Sequence, residues 1–443
     1  MASAAEQLAA NLSFSAFRTA DELKKRIWFT LGALLVYRLG TYIPLPGIDP
    51  QALQAVFNQQ QSGIIGMFNM FAGGAVGRMA IFALNIMPYI TASIVIQLLT
   101  SVVPHLEQLK KEGEQGRKQI NQYTRYGTVL LATVQGYGIA VGLEGAQGVV
   151  VDPGFFFRAS AVITLVGGTV FLMWLGEQVT SRGVGNGISL IIFAGIVAEL
   201  PSALAGTLEL GRQGALSTFI ILALIIMVIA VIAFIVFMER AQRRLLVQYP
   251  KRQMGNRMTQ GESSHLPLKL NTAGVIPPIF ASSLLLMPIM LANFSGDATG
   301  GALGTTAALL GRGQPLYMLT YAAGIVFFCF FYTSIVFNPN DTADNLKRYG
   351  GFIPGIRPGE RTAQYIDYVL TRLTVVGAIY LTLVCLLPEF LINAYSVPFY
   401  FGGTSLLIVV NVTMDTVGQV QGHLFAHQYE GLIKKSKMGG KKR

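Results

Sequence analysis

Charge is scarce in this chain. Asp, Glu, Lys and Arg make up 12% of its 443 residues, while hydrophobic residues make up 52%. A soluble domain carries roughly twice that charged fraction, so a water-soluble globular enzyme is excluded as a class. Cysteine is scarcer still. Cys329 and Cys385 are the two present, each inside an apolar run, and a disulfide framework or a thiolate metal site needs more. There is no HExxH, no GxSxG and no GxxxxGK, so zinc-protease, serine-hydrolase and P-loop chemistry have no anchor. The first residues, MASAAEQLAANLSFSAFRTADELKKR, lack an apolar stretch followed by a small-residue cleavage site, and they do not read as a cleaved signal peptide.

What fills the sequence instead is long uncharged segments. FIILALIIMVIAVIAFIVFM, residues 219–238, is the clearest, and about 20 such residues cross a hydrocarbon core of about 30 Å. Ten spans are expected, at 27–43, 79–101, 126–141, 159–175, 187–200, 219–238, 273–294, 317–337, 373–391 and 400–420. With a cytoplasmic N-terminus, 28 of the 33 Lys and Arg fall in inside segments, and Arg78, Arg158, Arg212 and Arg312 fall outside. Positive residues concentrate on the cytoplasmic side, which places both termini inside. The expected fold is an all-α polytopic membrane protein. Residues 1–26 form a cytoplasmic segment, 27–200 a first five-helix half, 201–216 an external hinge loop, and 217–420 a second half. A basic cytoplasmic tail, 421–443, follows. An odd number of spans per half inverts the second half relative to the first, and paths through membranes commonly lie between such halves.

The charge that exists lies mainly in cytoplasmic loops. Loops 239–272 and 338–372 are far longer than typical connections. Their mixture of aromatic, apolar and Pro-Gly positions predicts folded docking surfaces, and their basicity suits an acidic protein or a ribonucleoprotein partner. Within the spans, Asn411 and Asp415 share a helical face near a cytoplasmic end, which reads as capping or helix contact more readily than ion coordination. Glu389 sits at an outer end, and His423 and His427 share a face without further ligands close in sequence. One segment is odd. GIIGMFNMFAGGAVGRMAIFALNIMPYI, residues 63–90, passes Gly73-Gly74 and Arg78 before Pro88, and it is too long and too interrupted for one membrane helix.

Specific strings then accumulate: MFNMFAGGA, NIMPYI, FLMWLGEQ, RGVGNGIS, SHLPLK, GVIPPIFASS, FCFFYT, FNPNDTADNLK, PGIRPGE and PFYFGGTSLLIVV. In order and interval, from about residue 23 to 430, they resemble SecY, the channel subunit of the bacterial preprotein translocase. The resemblance implies a central pore between two inverted five-helix halves, open sideways to lipid, through which unfolded secretory chains pass and membrane helices leave. It implies no cofactor, no metal and no catalytic residue, with energy supplied by a partner.

By motif register the resemblance also assigns residues. A pore ring is implied at Ile86, Ile90, Ile188, Ile192, Ile279 and Ile408. Branched aliphatic rings dewet when narrow and offer a passing peptide no hydrogen bonds. The pairs Ile86/Ile90 and Ile188/Ile192 have helical i, i+4 spacing, so each pair can face one axis. A plug is implied at about 64–76, containing Ile64, Ile65, Met67, Phe68, Asn69, Met70 and Phe71. Gly73, Gly74 and an exposed Arg78 are expected to form its hinge. A lateral gate is implied between Thr91, Ser93 and Gln97 of the second span and Ser282, Ser283 and Met287 of the seventh. Such polar groups would hold the interface by modest hydrogen bonds, although Met287 stands where many relatives carry an aromatic residue. Docking of the SecA motor or the ribosome, ribosomal RNA included, is implied at Arg243, Arg244, Lys251, Arg252, Arg257 and Arg357. Asn256 stands where relatives often carry a basic residue. The remaining implied partners are SecE- and SecG-like membrane subunits, signal-bearing precursors and the lipid bilayer of the bacterial inner membrane. The competing readings are an ion-coupled secondary transporter of a small solute, kept open by Asp415, and an insertase with a hydrophilic groove and no pore.

Overall fold

The structure is a computed structural model, and it describes residues 21–60, 69, 72–145, 148–214, 217–250, 253–254, 257–258, 263–294, 314–395 and 403–439. All ten expected spans are helical for most of their length. In chain order they are Asp21–Gly40, Met87–Val102, Glu114–Gly145, Phe155–Arg182, Gly187–Arg212, Thr218–Arg240, Ile276–Phe294, Pro315–Val336, Glu360–Tyr395 and Gly403–Gly439. Several outrun the bilayer. The third, at 32 residues, is about 48 Å long at 1.5 Å per residue, so hydropathy located its membrane portion but not its cytoplasmic start.

Two boundaries differ from expectation for physical reasons. The second span does not begin at Met79. Residues 81–86 form turns, and the helix starts at Met87 with a proline in its first turn, where a missing N–H costs nothing. Met79 and Asn85 adopt φ values of 42° and 48°, outside the helical region, which the apolar composition of this stretch conceals. The remaining helix has 16 residues, or about 24 Å, short of a full crossing. The non-helical stretch supplies the rest of the depth. The second difference is at 201–216, expected to be a loop. The fifth helix continues through Pro201 to Arg212, since an internal proline bends a helix without having to end it.

The non-helical stretch is buried and paired. Leu45 N–H bonds to Met79 O and Ile81 N–H to Ile43 O, both at 3.0 Å. It lies against the fourth span where that helix carries Gly168. A Cβ at Gly168 would run into the carbonyl of Ile81, so the close approach requires glycine.

At one end of the bundle the two long loops fold together. Strands β1 (Gln242–Gln248) and β4 (Ser263–Lys269) form an antiparallel ribbon, while β2 (Gln253–Met254) and β3 (Arg257–Met258) pair beyond it. The ribbon is joined to the second loop by reciprocal bonds between Gln248 and Phe352, each 2.9 Å. Leu245, Val247 and Leu268 from the ribbon share one small core with Ile353, Ile366 and Val369. Pro339–Arg348 forms a short helix, with the Asn338 side chain accepting from Asn340 N–H at 3.0 Å.

Candidate functional site: an apolar waist, a seated segment and a cytoplasmic module

The six isoleucines come from four helices of both halves and meet in one apolar cluster. Ile86, Ile90, Ile192 and Ile408 are buried in it, and Ile188 and Ile279 pack against it partly buried. The cluster is larger than these six and forms the main core of the bundle. Ile86 is the residue preceding its helix, yet Ile90 N–H still bonds to Ile86 O at 3.1 Å. The i, i+4 relation therefore survives the shifted helix start. On the fifth span, Ile188 and Ile192 share their helical face with Gly195 and Glu199.

That face leads outward to the base of the expected plug. Of the plug residues, Ile64, Ile65, Met67, Phe68, Met70 and Phe71 lie outside the described residues. Asn69 is described and is held through its carbonyl and its side-chain oxygen. Its carbonyl accepts from Gly74 N–H at 2.8 Å and its Oδ1 from Gly77 N–H at 2.7 Å. Gly73 and Gly74 have φ of 63° and 79°, the left-handed region that glycine enters at no steric cost. A Cβ on Gly73 would sit 3.0 Å from Gly195 Cα. The Gly73-Gly74 turn therefore touches the fifth span backbone to backbone.

Arg78 was expected to be exposed, and it is not. It is partly buried, donating to Gly73 O at 2.8 Å and to Thr41 O at 3.2 Å. Backbone carbonyls at a turn need donors away from water, and a guanidinium beside the chain supplies them. Sequence reasoning missed the companion residue, Arg38 of the first span, which donates to the same Gly73 carbonyl at 2.6 Å. An ionisable residue near a membrane helix end is itself a functional signal, and that signal was available for Arg38 and for Glu199.

The gate residues behave differently from expectation. The second and seventh spans touch, but their hydroxyls bond to their own helices. Thr91 donates to Met87 O at 3.1 Å, and Ser282 and Ser283 donate to Ile279 O at 2.9 and 2.8 Å. Gln97 reaches Ser93 at 3.5 Å within the same helix. Short hydroxyl side chains find the preceding turn's carbonyl more readily than a partner helix. The Met287 side chain lies outside the described ones. The seventh span is tied more firmly to the eighth, where Phe280 meets Phe328 edge-on with centroids 5.6 Å apart.

In the cytoplasmic module Arg243, Arg244 and Arg357 are exposed, while Lys251 and Arg252 and the side chain of Arg257 lie outside the described residues. Gly355 and Gly359 flank Arg357 with φ of 82° and 107°, so the PGIRPGE loop projects as a tight, glycine-shaped tip. At the module's root, Glu239 accepts from Asn271 at 2.6 Å and also bonds to Asn411. Asn411 thus makes a helix contact, and Asp415 beside it is exposed. The side chains of Glu389 and His427 lie outside the described ones.

The fold of this helical bundle is shared with solved structures of membrane channels. The chain superposes on one such structure ("The structure of a protein conducting channel") with a TM-score of 0.68 at 20% identity, covering 90% of this chain and 92% of that one. It likewise superposes on "Sec61 in the Canine ribosome-channel complex from the endoplasmic reticulum", with a TM-score of 0.64 at 19% identity and the same coverage. The SecY family profile matches residues 80–417. Relatives named "Protein translocase subunit SecY" are 59% identical in Escherichia coli K12, over 95% of this chain and 96% of that protein. In Vibrio cholerae the figure is 57%, over 96% and 98%. The chain belongs to the SecY family.

Proposed function

We propose that this chain is a protein-conducting channel that passes unfolded polypeptides between its two five-helix halves and releases membrane helices sideways between the second and seventh spans. The observation that carries the reading is the 59% identity with a named translocase subunit across 95% of this chain. The side chains fit that role. Isoleucines at the waist can seal against ions while adapting to passing residues of many sizes, and gate hydroxyls bonded within their own helices leave the two spans free to part. The solute-transporter alternative has no support, since Asn411 is engaged with Glu239 and Asp415 is exposed.

The channel is passive, driven by the SecA motor or by a translating ribosome docked on Arg243, Arg244 and Arg357. SecE- and SecG-like subunits flank it in the inner membrane, and both termini are cytoplasmic. The test starts from a Cys329→Ser/Cys385→Ser background carrying a single cysteine at Ile192 or Ile408. A secretory precursor with a thiol-reactive probe is arrested midway and crosslinks are scored. Crosslinks at both positions and none at Ile225, a 49% exposed position on the sixth span, support the path. Crosslinks at Ile225 alone would overturn it.

A further inference from the structure

The ribbon that carries Arg243 and Arg244 leaves the end of the sixth span and returns to the start of the seventh, so its orientation is set at that root. The backbone closes the root with one bond, Leu270 N–H to Ala241 O at 3.0 Å, below the first strand pair, Gln242 and Lys269. A two-stranded ribbon is marginal by itself. What braces this one is Glu239, the last residue but one of the sixth span. Its Oε1 accepts from Asn271 Nδ2 at 2.6 Å, and its carboxylate also bonds to Asn411 of the tenth span. Asn271 and Asn411 are 4% and 8% exposed. Asn271 is itself fixed, because Nδ2 also donates to Gly274 O and Oδ1 accepts from Gly274 N–H, both at 3.1 Å. One carboxylate therefore ties together the sixth span, the entry to the seventh and the tenth. A largely buried charge is weak evidence for stability, so the tie calls for a positional reason. Asn411 lies three residues past Ile408, about 4.5 Å along the helix. Arg243 lies four residues past Glu239, about 13 Å of extended chain.

We infer that Glu239 and Asn411 are positioning residues: their bond sets the ribbon at a fixed orientation to the helix that carries Ile408, so that a motor docked on Arg243 and Arg244 is aimed at the waist. The inference rests on the channel reading above. Both residues act through the ribbon and not on the docked partner. Asn271 is the brace toward the seventh span, whose Ile279 packs against the same apolar cluster as Ile408. Losing the tie leaves the arginines exposed and leaves the core of Leu245, Val247, Ile353 and Ile366 intact. Docking and folding then persist while the aim is lost.

The test uses the full complex with its membrane partners in sealed vesicles, driven by the motor. Two quantities are measured: the maximal rate of precursor transport, and the motor concentration that gives half of it. Hydrogen bonds to charged groups are worth enough that losing one shifts the ratio of aimed to misaimed ribbon roughly ten- to a hundred-fold. Asn411→Val, which removes the amide at similar shape, is expected to lower the maximal rate about ten-fold with half-saturation unchanged. Arg243→Ala/Arg244→Ala does the reverse and raises half-saturation. Asn411→Asp sets two carboxylates against each other and lowers the maximal rate at least as far as Asn411→Val. Glu239→Gln/Asn411→Asp restores it, because the glutamine still accepts from Asn271 and now donates to the aspartate. General damage to the helices is not repaired by a second substitution. Tyr380→Phe, near the same carboxylate, removes a buried hydroxyl with no hydrogen-bond partner among the described residues and changes neither quantity. If Asn411→Val fails to assemble, Asn411→Asp and its double variant carry the same test. Single variants with the parent's maximal rate, or a double variant no faster than Asn411→Asp, would overturn the positioning role. A rise in half-saturation alone would also overturn it, by making Asn411 part of the docking surface. Failure of the unaltered complex to transport an intact precursor would instead overturn the channel reading.

Discussion

Ile366 gives the sharpest test of whether the two cytoplasmic loops are one folded unit. It is fully buried, 0% exposed, and lies among Leu245, Val247, Leu268 and Ile353. Ile366→Ala removes three carbons, worth about 2.4 kcal/mol at about 0.8 kcal/mol each, and the cavity left behind places the cost within the usual range of about 2–5 kcal/mol. At about 1.4 kcal/mol per factor of ten, a loss of about 2.4 kcal/mol raises the open population of the module roughly 50-fold. When opening is fast, proteolysis follows that population. Limited trypsin digestion in nanodiscs, with cleavage after Lys269 and after Arg361 quantified by mass spectrometry, should therefore show both sites accelerating together. Arg357→Ala, which removes an exposed side chain, should change neither rate, because surface substitutions stay within about 0.5 kcal/mol. It should still impair motor- or ribosome-driven transport. Acceleration at Arg361 without acceleration at Lys269 would refute the shared core and leave two loops folded separately.

Three further outcomes follow from local geometry. Gly168→Val should lower the thermal midpoint of the purified protein, at an overpacking cost of about 1–3 kcal/mol, because its side chain meets the Ile81 carbonyl. Tyr321→Phe removes a buried 2.8 Å bond to Thr404, and a loss of about 1–3 kcal/mol for the orphaned partner should appear in the same assay. Glu144 accepts from Arg158 at 2.7 Å and from Gly154 N–H at 2.9 Å, and the Arg158 bond above all holds its carboxyl below the usual glutamate value. A depressed folded pKa means the contribution is fully present above the ordinary glutamate pKa and is lost as pH falls through the lower folded value. Glu144→Gln should therefore flatten the acid limb of a stability–pH profile while leaving the neutral region nearly parallel to the parent.

The ten spans were legible because apolar runs and the lysine–arginine asymmetry are bulk signals that survive errors of a few residues. Less legible was the point where an apolar run stops being helical. Residues 79–86 are as hydrophobic as the helix after them, and only Asn85, which tolerates the left-handed region, and Pro88, suited to a first turn, hinted at the break. The stretch after Leu200 misled in the other direction: it was expected to be a loop, yet the helix runs through the exposed Pro201 to Arg212. The isoleucines could be assigned by motif register because each string fixes its own numbering. Arg38, in contrast, acts on Gly73 through a contact 35 residues away in sequence, which no local pattern encodes. The gate hydroxyls were visible as residues, but their choice between their own backbone and a neighbouring helix depended on rotamers.

The shared cytoplasmic core also sets a schedule. The ribbon is complete once Lys269 has been made, yet the buried residues that share its core begin at Ile353, about 80 residues later. At about 5–20 residues per second, Leu245, Val247 and Leu268 wait roughly 4–16 s for their partners, while two more spans enter the membrane. The arginines on β1 are thus presented on a finished platform only after the eighth helix has been inserted. A half-made copy of the chain therefore carries an uncovered ribbon until the second loop exists.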